Sequence, residues 1–254
     1  MAAPIVMVHG AFCGGWAFEA FAEPFEKAGH RVLTPHLRGH APDDPRTAVA
    51  AVSMADYVAD VVRLADSLPE PPVLLGHSLG GLVCQMAAGR ARVRGMALLA
   101  PSAPWGVPGN TVEEAITAFG LHMLGPFWTQ AVEPDGKMMR RFSLDRMPRA
   151  ERSAVVARLR PESGRALWET LNWWLDPFMT TRLPAGAREV PALVLVGEKD
   201  VVHAAATVRQ TAARLGAPCE VLPGMSHWLV GEPGWREVAG RVLEWLDREV
   251  RAAA

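Results

Sequence analysis

The chain has 254 residues, half of them hydrophobic, with 26 Lys and Arg against 27 Asp and Glu for a formal net charge of −1. That balance excludes the electrostatic footprint of a nucleic-acid binder or an anionic-membrane binder, while the length suffices for one sizeable core, with or without an insertion. Cys13, Cys84 and Cys219 are widely separated and form no C-x-x-C pair, so neither a disulfide framework nor a thiolate metal site is expected.

The opening residues carry no positive stretch and their apolar run is too short for a signal peptide or a membrane span, which predicts a cytoplasmic protein. Residues 5–8 read as a buried strand, 16–28 as a helix closed by Gly29, and 31–34 as a second strand. Ser53-Met54-Ala55-Asp56 resembles a capping box opening a helix that runs to about Leu68. A strand at 73–75, a helix at 81–89 and a strand at 96–99 follow. From 107 to 189 the pattern changes. Stretches 111–124, 149–159 and 163–175 look helical, no strand is convincing, and Phe119, Phe127, Trp128, Trp168, Trp173, Trp174 and Phe178 recur. Alternation resumes with a strand at 192–196, a helix at 204–215, a strand at 219–222 and a closing helix at 235–250, before a frayed tail at 251–254. Unalternating apolar strands separated by helices predict an α/β fold with a mostly parallel sheet covered on both faces. The expected division is a core of 1–106 and 190–254, with 107–189 as a helical cap insertion over the sheet's carboxyl edge.

Gly76-His77-Ser78-Leu79-Gly80 joins the strand to the helix that follows it. A G-x-S-x-G pentapeptide can arise by chance, but at a strand-to-helix junction it makes a nucleophile elbow, where flanking glycines allow a sharp turn that exposes a strained serine. Asp200, after the strand ending at Val196, and His227, in the loop after the last strand, complete a Ser, Asp, His order. Glu198, Asp176 and Asp43 compete for the acid role. The competing histidines are His9, expected to shape a loop, His77, expected to be structural or part of the pocket wall, and His30, His36, His40, His122 and His203, expected to be solvated.

Together with Val8-His9-Gly10-Ala11-Phe12-Cys13-Gly14-Gly15-Trp16, these residues identify the chain as similar to α/β-hydrolase-fold enzymes over nearly its whole length. Within that superfamily it resembles the plant methyl-salicylate esterase and hydroxynitrile lyase group and related bacterial esterases and lactonases. The resemblance implies an oxyanion hole made by the backbone N–H groups of Ala11 and Leu79. Two departures stand out: His36 occupies a position where many relatives carry an acid, and the chain starts at the family's third strand, so about six strands are expected instead of eight.

These residue types imply a serine ester hydrolase. Ser78 attacks an acyl carbonyl, His227 takes and returns the proton, Asp200 orients the imidazole, and no metal or organic cofactor is needed. Phe12, Trp105, Trp173, Trp174 and Trp228 are the expected substrate wall, suited to apolar acyl or aromatic esters or to lactones such as N-acyl homoserine lactones. A ligand-binding receptor on the same fold is the alternative from another class. Hydroxynitrile lyase activity is disfavoured, because those enzymes rely on a lysine beside the histidine where this chain has Trp228.

Overall fold

The structure, a computed structural model, describes residues 2–109, 111–112 and 125–250. Six strands form one parallel sheet: β1 Ile5–Val8, β2 Val32–Leu33, β3 Val73–His77, β4 Gly95–Leu99, β7 Ala192–Gly197 and β8 Cys219–Leu222, in the spatial order β2-β1-β3-β4-β7-β8. Four of them are apolar almost end to end, yet successive side chains still alternate faces. Ile5, Met7, Val73, Leu75, Leu193 and Leu195 enter one core layer, and Val6, Val8, Leu74, Leu98, Val194 and Val196 enter the other.

The first layer is closed by α1 (Glu23–Lys27), through Phe25, and by α7 (Trp235–Trp245), through Val238, Val242 and Trp245. The second is closed by α2 (Met54–Ser67), α3 (Leu79–Ala88) and α6 (Ala205–Leu215). The capping box that opens α2 is formed in full, with the Ser53 hydroxyl accepting from Asp56 N and the Asp56 carboxylate accepting from Ser53 N.

Between β4 and β7 the described residues include α4 (Arg149–Ala157) and α5 (Gly164–Leu171), and also a small antiparallel pair, β5 (Ala131–Val132) with β6 (Glu162–Ser163), that the sequence pattern does not announce. Two-residue strands carry no periodicity, which is why they escape sequence reading. Two expected helices are interrupted. The 16–28 helix splits into a 3-10 turn at Gly15–Phe18 and α1, which restarts with Pro24 in its first turn, where a missing N–H costs nothing. The 163–175 helix ends at Leu171, and a separate 3-10 turn covers Trp173–Leu175. Most of the expected 111–124 helix, with Phe119 and His122, and the 251–254 tail lie outside the described residues.

Candidate active site

Because all six strands run the same way, their carboxyl ends and the loops after them meet at one edge, the usual ligand-binding edge of an open α/β sheet. β1 leads to Ala11, β3 to Ser78, β4 to Ser102, β7 to Asp200 and β8 to His227. Ser78 stands at φ 53°, ψ −121°, a strained conformation for a residue with a Cβ. The surrounding backbone enforces it: a Cβ on Gly76 would lie 2.5 Å from the Gly80 carbonyl oxygen, and one on Gly80 only 2.2 Å from that of Val8. Any substitution at either glycine therefore pushes the elbow off the sheet.

The Ser78 hydroxyl donates to His227 Nε2 at 3.1 Å, and His227 Nδ1–H donates to Asp200 Oδ2 at 2.9 Å. Asp200 Oδ1 accepts from the N–H groups of Val202 (2.8 Å) and His203 (2.9 Å). Burial opposes the charge on Asp200, but the His227 ring and these donors outweigh it and hold the carboxyl below its usual range. Two of the competing acids are employed elsewhere, and the third, Asp43, is exposed. Exposed Glu198 accepts from Gly224 N beside Lys199, and buried Asp176 accepts from Phe178 N and Thr180 N.

The histidines sort by environment. His77 Nε2–H donates to the His227 carbonyl at 2.8 Å, tying the elbow to the histidine loop; burial, aided by the neighbouring His227, pushes its pKa down to about 3 and keeps it neutral. His9 accepts from Leu37 N at 3.0 Å and donates from Nδ1 to the Gly10 carbonyl at 2.9 Å, shaping the loop as expected. The expectation of solvated histidines fails for His30 and His40, which are buried, and for His203, whose Nε2 lies 2.9 Å from Ser102 Oγ and 3.5 Å from Ser78 Oγ. Neither His203 nor Ser102 stood out in the sequence. The one available sign was that His203 follows Asp200 by three residues, inside the same carboxylate-capped turn.

Ala11 and Leu79 flank the serine: a Cβ on Gly10 would stand 3.0 Å from Ser78 Cβ, and Leu79 is the first residue of α3. Among the described residues neither amide donates to another backbone group, which leaves both free for a bound oxygen. The loop is held from the segment between β4 and β7. Phe12, at φ 64°, donates its N–H to Glu162 Oε2 at 3.2 Å and accepts from Arg160 N at 2.9 Å. Glu162 is fully buried; it also accepts from Tyr57 O–H (2.6 Å) and Ser163 N (2.7 Å) and lies 3.3 Å from His40 Nε2.

The expected substrate wall divides. Phe12 and Ala11 touch the cluster of Phe127, Val132 and Leu167. Trp105 and Trp173 are half-buried and meet edge to face at 5.7 Å. Trp174 is 56% exposed, whereas Trp228 is only 3% exposed and packs edge-on to His77 and beside Trp16. All three cysteines are free, and burial raises the Cys13 and Cys84 thiols far above their usual range. Among the described residues no His, Cys, Asp and Glu cluster is arranged to hold a metal ion, and no helix is long and apolar enough to cross a membrane.

Residues 5–241 match the model of the alpha/beta hydrolase family. Methylesterase 3 of Arabidopsis thaliana is 38% identical over 85 residues, covering 33% of this chain and 32% of that protein. A carbendazim hydrolyzing esterase of a Nocardioides species is 36% identical over 89 residues, covering 35% and 36% respectively. The chain thus spans about a third of the length of these curated relatives. The crystal structure of a pyrethroid hydrolase from Sphingobium faniae superimposes with a TM-score of 0.71 over 98% of both chains at 21% identity, a likeness of fold.

Proposed function

The chain belongs to the alpha/beta hydrolase family, and on that premise we propose that it is a serine carboxylic ester hydrolase working through an acyl-enzyme. The observation that carries this reading is the unbroken hydrogen-bonded line from Ser78 through His227 to Asp200, with the serine held at a strained φ on a preformed turn. His227 takes the hydroxyl proton as Ser78 Oγ attacks the carbonyl, Asp200 stabilises the imidazolium, and the Ala11 and Leu79 amides receive the oxyanion, an interaction worth about 3 kcal/mol per donor. His227 then protonates the leaving alcohol, and water completes the cycle.

Apolar acyl or aromatic esters suit this site best. Phe12, next to Ala11, packs against the uncharged cluster of Phe127, Val132 and Leu167, and relatives named as a methylesterase and a carbendazim hydrolyzing esterase support an ester substrate. Lactones, which are cyclic esters, belong to the same proposal. The segment between β4 and β7 serves as the cap that covers the acyl group.

A panel of p-nitrophenyl esters and N-acyl homoserine lactones tests the proposal. Repeated turnover by the wild type is expected, with loss in Ser78→Ala, labelling of Ser78 by phenylmethylsulfonyl fluoride and no effect of EDTA. Activity retained in Ser78→Ala, or lost on chelation, overturns it.

A further inference from the structure

Two imidazole nitrogens converge on one oxygen. His227 Nε2 lies 3.1 Å from Ser78 Oγ and His203 Nε2 lies 3.5 Å from it, with the two rings edge to face at 5.2 Å between centroids. A serine hydroxyl has one proton to give, so a second acceptor finds none on Ser78 once His227 has taken it. A water molecule has two.

His203 is built to accept. Its backbone N–H donates to Asp200 Oδ1 at 2.9 Å, and the Val202 backbone beside the ring favours a proton on Nδ1, the tautomer that leaves Nε2 with the lone pair. Burial, reinforced by His227 alongside, lowers its pKa to about 4, so the ring stays neutral at ordinary pH. Ser102 donates its hydroxyl to that lone pair at 2.9 Å. The serine is itself fixed, its N–H donating to the Ser78 carbonyl at 3.0 Å and its carbonyl accepting from Gln85 Nε2 at 3.2 Å. A hydrogen bond that Ser102 Oγ accepts is strengthened by the one it donates. Nε2 has a single lone pair, so the pair accepts through Ser102 Oγ while Ser102 donates to His203, and at His203 Nε2 when the hydroxyl turns away and a water takes its place.

We propose that His203, held by Ser102, is the second acceptor for the hydrolytic water and so acts in deacylation and not in acylation; this rests on the ester hydrolase reading above. In that step the water oxygen bonds to the acyl carbon and one water proton goes to His227 Nε2. The other proton stays on the attacking oxygen, hydrogen-bonded to the Ser102–His203 pair. The bond between the acyl carbon and Ser78 Oγ then breaks, and His227 returns its proton to Oγ as the acid departs. His203 gains no proton; it orients the nucleophile and is a catalytic residue, whereas Ser102 is a positioning residue.

The acyl-enzyme can be partitioned between water and methanol, which has only one proton to donate. In His203→Leu the ratio of methyl ester to free acid formed from p-nitrophenyl butyrate should rise about tenfold, the size of one hydrogen bond to the nucleophile. A stopped-flow burst of p-nitrophenol should deepen because deacylation slows about tenfold relative to acylation. His203→Asn, which keeps an acceptor oxygen, should recover part of the wild-type ratio, and Ser102→Ala should shift it in the same direction by a smaller factor. If His203→Leu does not fold, the other two variants carry the measurement. An unmoved partition in folded variants, or equal slowing of both steps, overturns the role of His203 alone. Absence of any p-nitrophenol release from the wild type would instead remove the ester hydrolase reading together with this one.

Discussion

Asp200 and Glu162 each hold a histidine inside the protein, 2.9 Å from His227 Nδ1 and 3.3 Å from His40 Nε2. In both pairs the carboxyl is held below its usual range against the cost of burial. They differ in what the far side of the imidazole meets. His227 turns its other nitrogen to the Ser78 hydroxyl, whereas His40 Nδ1 faces the Arg38 carbonyl at 3.3 Å and its ring is walled by His9 and Tyr57. An imidazole with one nitrogen open to a hydroxyl can move a proton; one closed on both sides joins pieces of the chain. The first pair is placed for proton transfer, as the proposed function requires, and the second ties the loop after β1 to the segment between β4 and β7 through Phe12.

The largest expected break in that comparison is Asp200→Asn. It should lower kcat about 10⁴-fold with a smaller change in KM, because an amide favours the wrong imidazole tautomer, while Glu198→Gln should be mild. Steady-state kinetics on p-nitrophenyl acetate checks it, and the reverse pattern would move the acid role to Glu198.

Glu162→Gln should act mainly on stability. Removing one partner of a buried ion pair costs about 3–5 kcal/mol. The sign follows from the shifts: His40 is raised despite burial, by Glu162, so its contribution is complete below its ordinary 6.5 and fades as pH rises through the folded value. Glu162 is lowered, so its contribution is complete above its ordinary 4.5 and fades on acidification. The difference from wild type in urea unfolding should therefore be greatest between pH 4.5 and 6.5. A difference that does not change with pH would mean that the pair is not ionised.

A third effect sharpens the contrast on the aromatic side. If half-buried Trp173 lines the acyl site, Trp173→Ala should shift preference away from octanoyl and toward acetyl esters by up to about fourfold per methylene left uncovered, at ~0.8 kcal/mol each. Exposed Trp174→Ala should do less. Uniform loss across acetyl, butyryl and octanoyl esters would assign Trp173 to packing.

The smallest effect concerns Glu232, which accepts from Ser226 N at 2.7 Å beside His227. Burial, with Asp145 adding to it, raises its pKa to about 7. Stability linked to this group is fully present at acid pH and is lost as pH rises through 7. Glu232→Gln should leave Tm unchanged near pH 5 and raise it above pH 7.5 by a few degrees in calorimetry. An equal Tm change at both pH values would refute the ionisation.

Much of this molecule was legible in one dimension because its signals are local. Apolar runs name the six strands, Ser53 and Asp56 name a helix start, and the glycines around Ser78 name the elbow, each through neighbours within a few residues. The order Ser78, Asp200, His227 was readable too, because parallel strands deliver every following loop to one edge. Glu162 was not. Its partners Tyr57 and Phe12 stand 105 and 150 residues away, and nothing around a lone glutamate in a helix-rich stretch marks it as buried. His203 was misread as solvated for the same reason, since its desolvation comes from Ser78, Ser102 and His227 and not from its own loop. The sequence by itself determined the parallel sheet, the elbow and the identity of the three aligned groups, because those rest on periodicity and backbone sterics. Only the tertiary structure decided which polar side chains lost their water and which found partners there, because desolvation depends on what the rest of the chain brings to the spot.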